Sequence, residues 1–319
     1  MSRATKRSRK TAIVTGSAGF LGRRVVTEFK KHGWTVIGVD RVTTSEGIAG
    51  PTPPDEYRLL SLPSVHFGSL LSETKADAIV HAAGPASVTR SIASPEKDFA
   101  LSVPVFFGVL HAVRRHASAC RVVLISSAAV YGEPGEVPIS EEQPTRPISP
   151  YGYHKAICET MMEEFASVYG VAGAVARVFS AYGAGLERQI MWDICTKAQA
   201  GRLTLFGTGD ETRDFIHGDD VAAALRLIVE GGRLTGEAYN VANGVATSIR
   251  DLAGLFLTRL ESEAELTFSG ERRAGDPVGW RADIRRLRAL GYRPAVKLEA
   301  GVADYVKWFL AQSSGQGRC

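Results

Sequence analysis

Six short runs of aliphatic and β-branched residues recur along the first 180 positions, and they are apolar nearly throughout rather than alternating. They fall at 11–15 (Thr-Ala-Ile-Val-Thr), 34–40, 64–67, 78–82, 121–126 and 173–179, with longer helical patterns between them. A strand that shows apolar side chains to both sides must be covered on both sides, as parallel strands between two layers of helices are. The pattern predicts an α/β fold with a doubly wound parallel sheet. Beyond residue 180 the rhythm loosens. Residues 219–229 read as a helix and 237–243 as one more strand, while 186–210 and 247–319 read as helices and short strands outside the main sheet. The expected division is a disordered basic arm at 1–10, a cofactor-binding unit of 11–178 plus about 212–246, and a smaller C-terminal substrate-binding lobe of about 179–211 plus 247–319. A cleft between two such parts is where a ligand sits.

Directly after the first run comes Gly16-Ser17-Ala18-Gly19-Phe20-Leu21-Gly22, and a helical pattern follows. Glycines at this spacing permit a tight turn and a close approach of backbone N–H groups to a pyrophosphate at the helix start. Asp40 ends the second run, 18 residues past Gly22. A carboxylate there accepts hydrogen bonds from ribose hydroxyls and repels a 2′-phosphate, so NAD is favoured over NADP. Arg41, next to it, leaves a partial host for that phosphate. The arrangement makes the sheet Rossmann-like.

A second group of residues carries acid–base chemistry. Ser149 suits a helix N-cap and Pro150 the first helical position of a long pattern that runs to Gly170. Tyr151 and Lys155 are four apart and share one face of that helix. Bringing a phenol from about pKa 10 to near 7 takes about 4 kcal/mol, which a neighbouring ammonium and a cationic nicotinamide ring can supply. Ser127 lies in Ser126-Ser127-Ala128-Ala129-Val130-Tyr131-Gly132, where a core strand ends. Ligands of such sheets bind at the carboxyl ends of the strands.

With these residues in view, the chain resembles the NAD-dependent epimerase/dehydratase family, extended short-chain dehydrogenases/reductases acting on nucleotide sugars. The resemblance runs from Thr11 to about Phe309. It also rests on His81-Ala82-Ala83-Gly84, on Arg177-Val-Phe-Ser-Ala-Tyr-Gly183, on Arg213-Asp-Phe-Ile-His-Gly-Asp-Asp-Val221 and on Arg273-Ala-Gly-Asp276. It implies that Tyr151 is the base, that Lys155 activates it and binds the nicotinamide ribose, and that Ser127 orients the substrate hydroxyl. It implies cofactor contacts from Gly16, Gly19, Phe20, Leu21, Gly22, Asp40, Arg41, Ala82, Ala83, Gly84, Tyr151 and Lys155. Substrate contacts would come from Ser127, Ser180, Arg213 and Arg273, the two guanidiniums matching a diphosphate. Homodimerisation through the helix carrying Tyr151 and its neighbour also follows from the resemblance.

Departures from the family pattern narrow the reaction. Dehydratases and decarboxylases of the family usually carry a Glu just before Val-Tyr-Gly, and 4,6-dehydratases an Asp-Glu pair; here Ala128 and Ala129 stand there. An alanine moves no proton, so elimination is disfavoured and epimerisation or ketone reduction remains. Ser69, in Gly68-Ser69-Leu70, replaces an Asp near the adenine, and Ser180 replaces an Asn. The expected activity is a nucleotide-sugar epimerase, a UDP-hexose 4-epimerase first. A 4-keto-6-deoxy-sugar reductase is the enzymatic alternative, and a non-catalytic NAD-sensing protein the alternative of another class.

Charge adds little to this. The 319 residues carry 38 basic and 34 acidic side chains, a net of +4. Five of the basic ones, Arg3, Lys6, Arg7, Arg9 and Lys10, lie in the first ten residues, so 33 remain for the body against the same 34 acids. We read the arm as solvated, not as a nucleic-acid or membrane anchor. No apolar run approaches the roughly 18 residues of a membrane span. The four cysteines are scattered and His111 and His116 are five apart, so neither a disulfide framework nor a metal site is expected. A cytoplasmic protein is the default.

Overall fold

The computed structural model describes residues 9–43, 45, 52–134, 137–271, 275 and 277–315. Most of the basic arm (residues 1–8), Arg273 and Cys319 lie outside that set. The described residues form a central sheet of seven parallel strands. These are β1 (Thr11–Thr15), β2 (Thr35–Asp40), β3 (Glu56–Leu59), β4 (Ala78–His81), β5 (Arg121–Ser127), β6 (Gly173–Val178) and β7 (Thr235–Val241). In space they run β3-β2-β1-β4-β5-β6-β7. The chain winds outward from β1 in one direction and then, from β4, in the other. The carboxyl ends of β1 and β4 therefore flank the switch point at which such sheets bind ligands.

Alternate residues of one strand feed two cores. Ala12 and Val14 of β1 join a cluster with Val25, Val26 and Phe29 of α1 (Phe20–Lys31). Ile13, between them, joins Phe67, Leu70 and Leu71 of α2 (His66–Thr74) on the other side. The helices that follow are α3 (Val88–Ala93), α4 (Pro95–Ala100), α5 (Val103–His116), α6 (Pro150–Tyr169), α7 (Gln189–Gln199) and α8 (Gly218–Gly231). Phe106 of α5 and Phe165 of α6 cover the face of Ile13, while Leu225 and Ile228 of α8 cover that of Val14. Each such side chain contributes roughly 1.5–3 kcal/mol by burial. A third cluster, including Tyr182, Ile194, Leu203, Phe256, Tyr305 and Phe309, is built by later elements away from the sheet. No helix of the described residues is long and apolar enough to cross a membrane.

One expected strand does not form. Residues 64–67 are not extended: Val65 is 87% exposed, and Phe67 belongs to the first turn of α2. Phe67, Leu70 and Leu71 recur at three- and four-residue spacing, a helical period, and all three are buried. The third strand is instead 56–59, Glu-Tyr-Arg-Leu, at the sheet edge. An edge strand with only Tyr57 half-buried needs no apolar run, so none marks it. Ser69 is correspondingly not at a strand end; it faces solvent on α2.

Candidate active site

A cleft of about 500 Å³ opens at the carboxyl ends of the central strands. The turn after β1 forms one end. Gly16 has φ +71°, and a Cβ there would lie 2.6 Å from the Ala83 nitrogen. A Cβ on Gly22 would lie 2.0 Å from the Gly16 carbonyl oxygen. Both positions thus exclude any side chain, and the turn packs directly onto the segment after β4. The Gly16 N–H donates to Val39 O at 2.8 Å and the Gly19 N–H to Gly16 O at 3.0 Å. No side chain caps the start of α1. Its first N–H groups and the positive end of its dipole face the cleft beside Phe20 and Leu21, which suits a pyrophosphate.

Asp40 does not line the cleft surface itself. Its carboxylate accepts from the Ala18 N–H at 3.0 Å and from the Arg41 N–H at 2.7 Å, fixing the glycine turn against the end of β2. Arg41 is exposed next to it. Behind the turn, Thr15 Oγ1 and His81 Nδ1 are 2.8 Å apart and wholly enclosed. Burial, with Lys155 nearby, holds the His81 imidazole down at about 3 against its usual 6.5. Between pH 6.5 and 3 the unfolded chain therefore binds a proton that the folded one refuses, and stability is lost as pH falls through that window. We expect the stability gap between wild type and His81→Gln to narrow by about 1.6 kcal/mol in total from pH 6.5 to 5 in urea unfolding. Parallel slopes in the two proteins would remove His81 as the source. The comparison must be made against the variant because Asp214, raised to about 6 by burial, works in the opposite direction below pH 6.

The opposite wall is the start of α6. Ser149 caps it, Oγ accepting from the Gly152 N–H at 3.2 Å, and Pro150 occupies the first turn. Tyr151 and Lys155 both line the cleft. Lys155 is buried, its Nζ donates to Ile125 O at 2.9 Å, and that nitrogen stands 5.9 Å from the centre of the Tyr151 ring. The hydrogen bond to β5 fixes the ammonium beside the phenol. Ser127 ends β5; its Oγ accepts the Ala129 N–H at 3.2 Å and so caps a short 3-10 turn over 128–130. The hydroxyl proton remains available to the cleft. Ala128 and Ala129 are both buried.

Several motif residues support the wall without entering it. Arg177 pairs with Glu159, which also takes the Ser126 hydroxyl. The same guanidinium donates to the Tyr131 hydroxyl at 2.9 Å, and Tyr131 donates to Asn240 at 2.7 Å. This enclosed network braces β5, β6 and β7 just below Ser127. Asp214 accepts the N–H groups of Asn243, Gly244 and Ala282 at 2.9–3.0 Å, stapling three loops next to Arg213. Tyr182 packs on Phe215 and His217 and also lines the cleft, whereas Trp192 packs on Trp308 and Phe309 outside it.

Gly16, Gly19, Phe20, Leu21, Gly22, Ala82, Gly84, Ser127, Tyr151, Lys155, Ser180 and Arg213 all line this one cleft. Ala83 approaches Gly16 from behind, Asp40 and Arg41 are not among the lining residues, and Arg273 is not among the described residues. Sequence reasoning missed Val88, Gln189, Glu211 and Trp280, and Phe206 also lines the cleft. Phe206 is 44% exposed in the cleft, and the Trp280 ring lies 5.7 Å from the Arg213 guanidinium. None of the five carries a motif signal of its own.

The model of the NAD dependent epimerase/dehydratase family matches residues 12–242. The chain belongs to this family. A UDP-glucose 4-epimerase of Mycolicibacterium smegmatis is 31% identical over 94% of this chain and 99% of its own length. A putative UDP-glucose 4-epimerase of Methanocaldococcus jannaschii is 28% identical over 93% and 97%. Among solved structures, the UDP-glucose 4-epimerase of Thermotoga maritima with UDP-glucose superposes with a TM-score of 0.85 at 26% identity, covering 95% of this chain and 99% of that one. As a family member the chain is an NAD-dependent enzyme of the epimerase/dehydratase type. The uncapped helix start and the side-chain-free turn fit that cofactor.

Proposed function

We propose that this family member is a UDP-hexose 4-epimerase working through a transient 4-keto sugar. The observation that supports the reading is the make-up of one wall: Ser127, Tyr151 and Lys155 share the cleft with the cofactor turn, while buried Ala128 and Ala129 stand where an elimination acid would. The named relatives are epimerases of this kind. On this reading the turn from Gly16 to Gly22, with Asp40 and the segment Ala82–Gly84, holds NAD. Held there, NAD would supply reversible hydride acceptance.

The protein's own part is proton handling and grip. Tyr151 takes the proton of the C4 hydroxyl and gives it back after the sugar has turned. Lys155 stabilises the charge that this leaves on the phenol oxygen. Ser127, held by the Ala129 N–H at one of its two lone pairs, donates its proton to the reacting oxygen. Arg213, with Trp280 beneath its guanidinium, and Arg273 hold the diphosphate, so the sugar alone rotates. Ser180 contacts the sugar. The reading assigns 11–178 plus about 212–246 to the cofactor and the remaining lobe to the nucleotide sugar.

The test begins with denaturation of the purified protein and identification of the released cofactor. NMR then follows the native enzyme with UDP-, dTDP-, GDP- and CDP-sugars. Interconversion of C4 epimers of a UDP-hexose without net NADH change is expected. Stoichiometric NAD(P)H consumption by a 4-keto sugar, without epimerisation, would replace the reading with a reductase.

We further propose a cytoplasmic homodimer joined through α5 and α6. Phe107, Tyr153, Ile157, Val168 and Tyr169 of these two helices are 40–65% exposed, apolar side chains that the same helices of a second copy would cover. Light scattering should read twice the 34.3 kDa chain mass, and Tyr153→Asp with Ile157→Asp should return it to one. A monomeric wild type would dispose of the dimer.

A further inference from the structure

The catalytic helix needs more than its own cap. The first N–H groups of any helix lack partners within it. In α6 Pro150 has none to place, and Ser149 takes that of Gly152. The remaining early one, on Tyr151 itself, goes to a residue sixty positions upstream: Ser91 Oγ accepts it at 3.1 Å. Ser91 is fully buried, and its hydroxyl donates to Val88 O at 2.7 Å, so both functions of the group are used. Val88 in turn lines the cleft, along with Ser87, which caps α3 by accepting the Arg90 N–H. One turn further along α6, His154 Nδ1 lies 2.6 Å from Asp98 of α4, and Asp98 is buried. His154 immediately precedes Lys155. The two short helices thus grip the catalytic helix at the backbone of Tyr151 and at the neighbour of Lys155.

We infer that Ser91 is a positioning residue, tying the backbone of Tyr151 to the cleft wall at Val88, and that Asp98 is its companion on His154. The role rests on the reading of Tyr151 as the proton-transfer group. Its physical content is separate: a buried hydroxyl fixes the residue whose side chain faces the substrate. Misplacement of a reacting group by about an ångström costs on the order of 100-fold in rate, whereas substrate affinity depends on groups elsewhere in the cleft.

The experiment has two arms on the full-length protein. Amide hydrogen exchange tests the tether whatever the reaction proves to be. In Ser91→Ala, exchange over 151–155 should quicken about 10-fold while that of β5 stays as in wild type. Steady-state kinetics tests its use: kcat should fall roughly 10- to 100-fold with KM within a factor of about two. Ser91→Cys, which keeps the shape and offers a weak acceptor, should fall between the two in both arms. Should Ser91→Ala not fold, Asp98→Asn probes the same grip, with the same split between kcat and KM expected. Unchanged exchange over 151–155 overturns the tether. Faster exchange with unchanged kcat overturns the positioning role, as does a loss confined to KM. If wild type turns over no nucleotide sugar, the functional reading has failed by itself, and the exchange arm still decides the tether.

Discussion

Replacing Tyr151 by Phe is expected to lower turnover of the nucleotide sugar by about 10³-fold while leaving NAD bound. A positioned general base contributes roughly 10²–10⁴-fold, and Tyr151 is the proposed base of the C4 hydroxyl proton. The ring stays in place on removal of one oxygen, because the helix start is held through its backbone by Ser91 and Ser149 and not through the phenol. Thermal stability should therefore move little. Cofactor content, measured after denaturation, should match wild type, and isothermal titration with UDP should give an affinity within about threefold of it. The split between lost turnover and retained binding is the informative part. Turnover within tenfold of wild type would take Tyr151 out of the mechanism; joint loss of cofactor and activity would show that the substitution disturbed the cleft, and Lys155→Met would then have to carry the test.

Much of the sheet was legible because burial on both faces leaves a mark that a single sequence shows. Strands β1, β2, β4, β5 and β6 are apolar almost without interruption, since each lies between two helical layers. Strand β3 left no such mark. Among the described residues no strand pairs with its outer side, and Glu56, Arg58 and Leu59 are exposed, so local patterning is not required of it. The apolar run at 64–67, which mimics a strand in the sequence, belongs instead to the helical spacing of α2. In the site, residues on local motifs were legible: Tyr151 and Lys155 are placed by one helical turn, and Ser127 by the end of one strand. Trp280 was not, because it reaches the cleft only by packing on Phe179 and under Arg213, residues far away in the chain. Asp214 and Arg177 were legible as motif letters, but their use was not. Their partners at Asn243, Ala282, Glu159 and Tyr131 are fixed by tertiary structure alone.

Gly22→Ala is expected to weaken NAD binding at least about 100-fold and to lower the melting temperature by several degrees. The added methyl would be placed 2.0 Å from the Gly16 carbonyl oxygen and 2.8 Å from the Ser17 Cα, both backbone atoms that cannot rotate aside. Relief requires α1 to move away from the turn by about an ångström or the turn to open; overpacking of this kind costs typically 1–3 kcal/mol, and more where backbone must shift. The turn has no slack to absorb it, because Gly16 abuts Ala82 and Ala83 and donates to Val39 O. Either movement also displaces the N–H groups at the start of α1, which are the groups proposed to meet the pyrophosphate. Gly254→Ala supplies the control. That glycine lies in the helix Ile249–Leu260, is exposed, and has nothing within 4 Å of where a Cβ would stand. There the same substitution removes only backbone freedom from the unfolded chain and should stabilise by about 0.5–1 kcal/mol, leaving NAD affinity unchanged. Titration calorimetry with NAD and thermal scans on the two variants separate the explanations: opposite signs in melting temperature and a loss of affinity confined to Gly22→Ala are expected, whereas wild-type affinity in Gly22→Ala would remove this turn from the cofactor site.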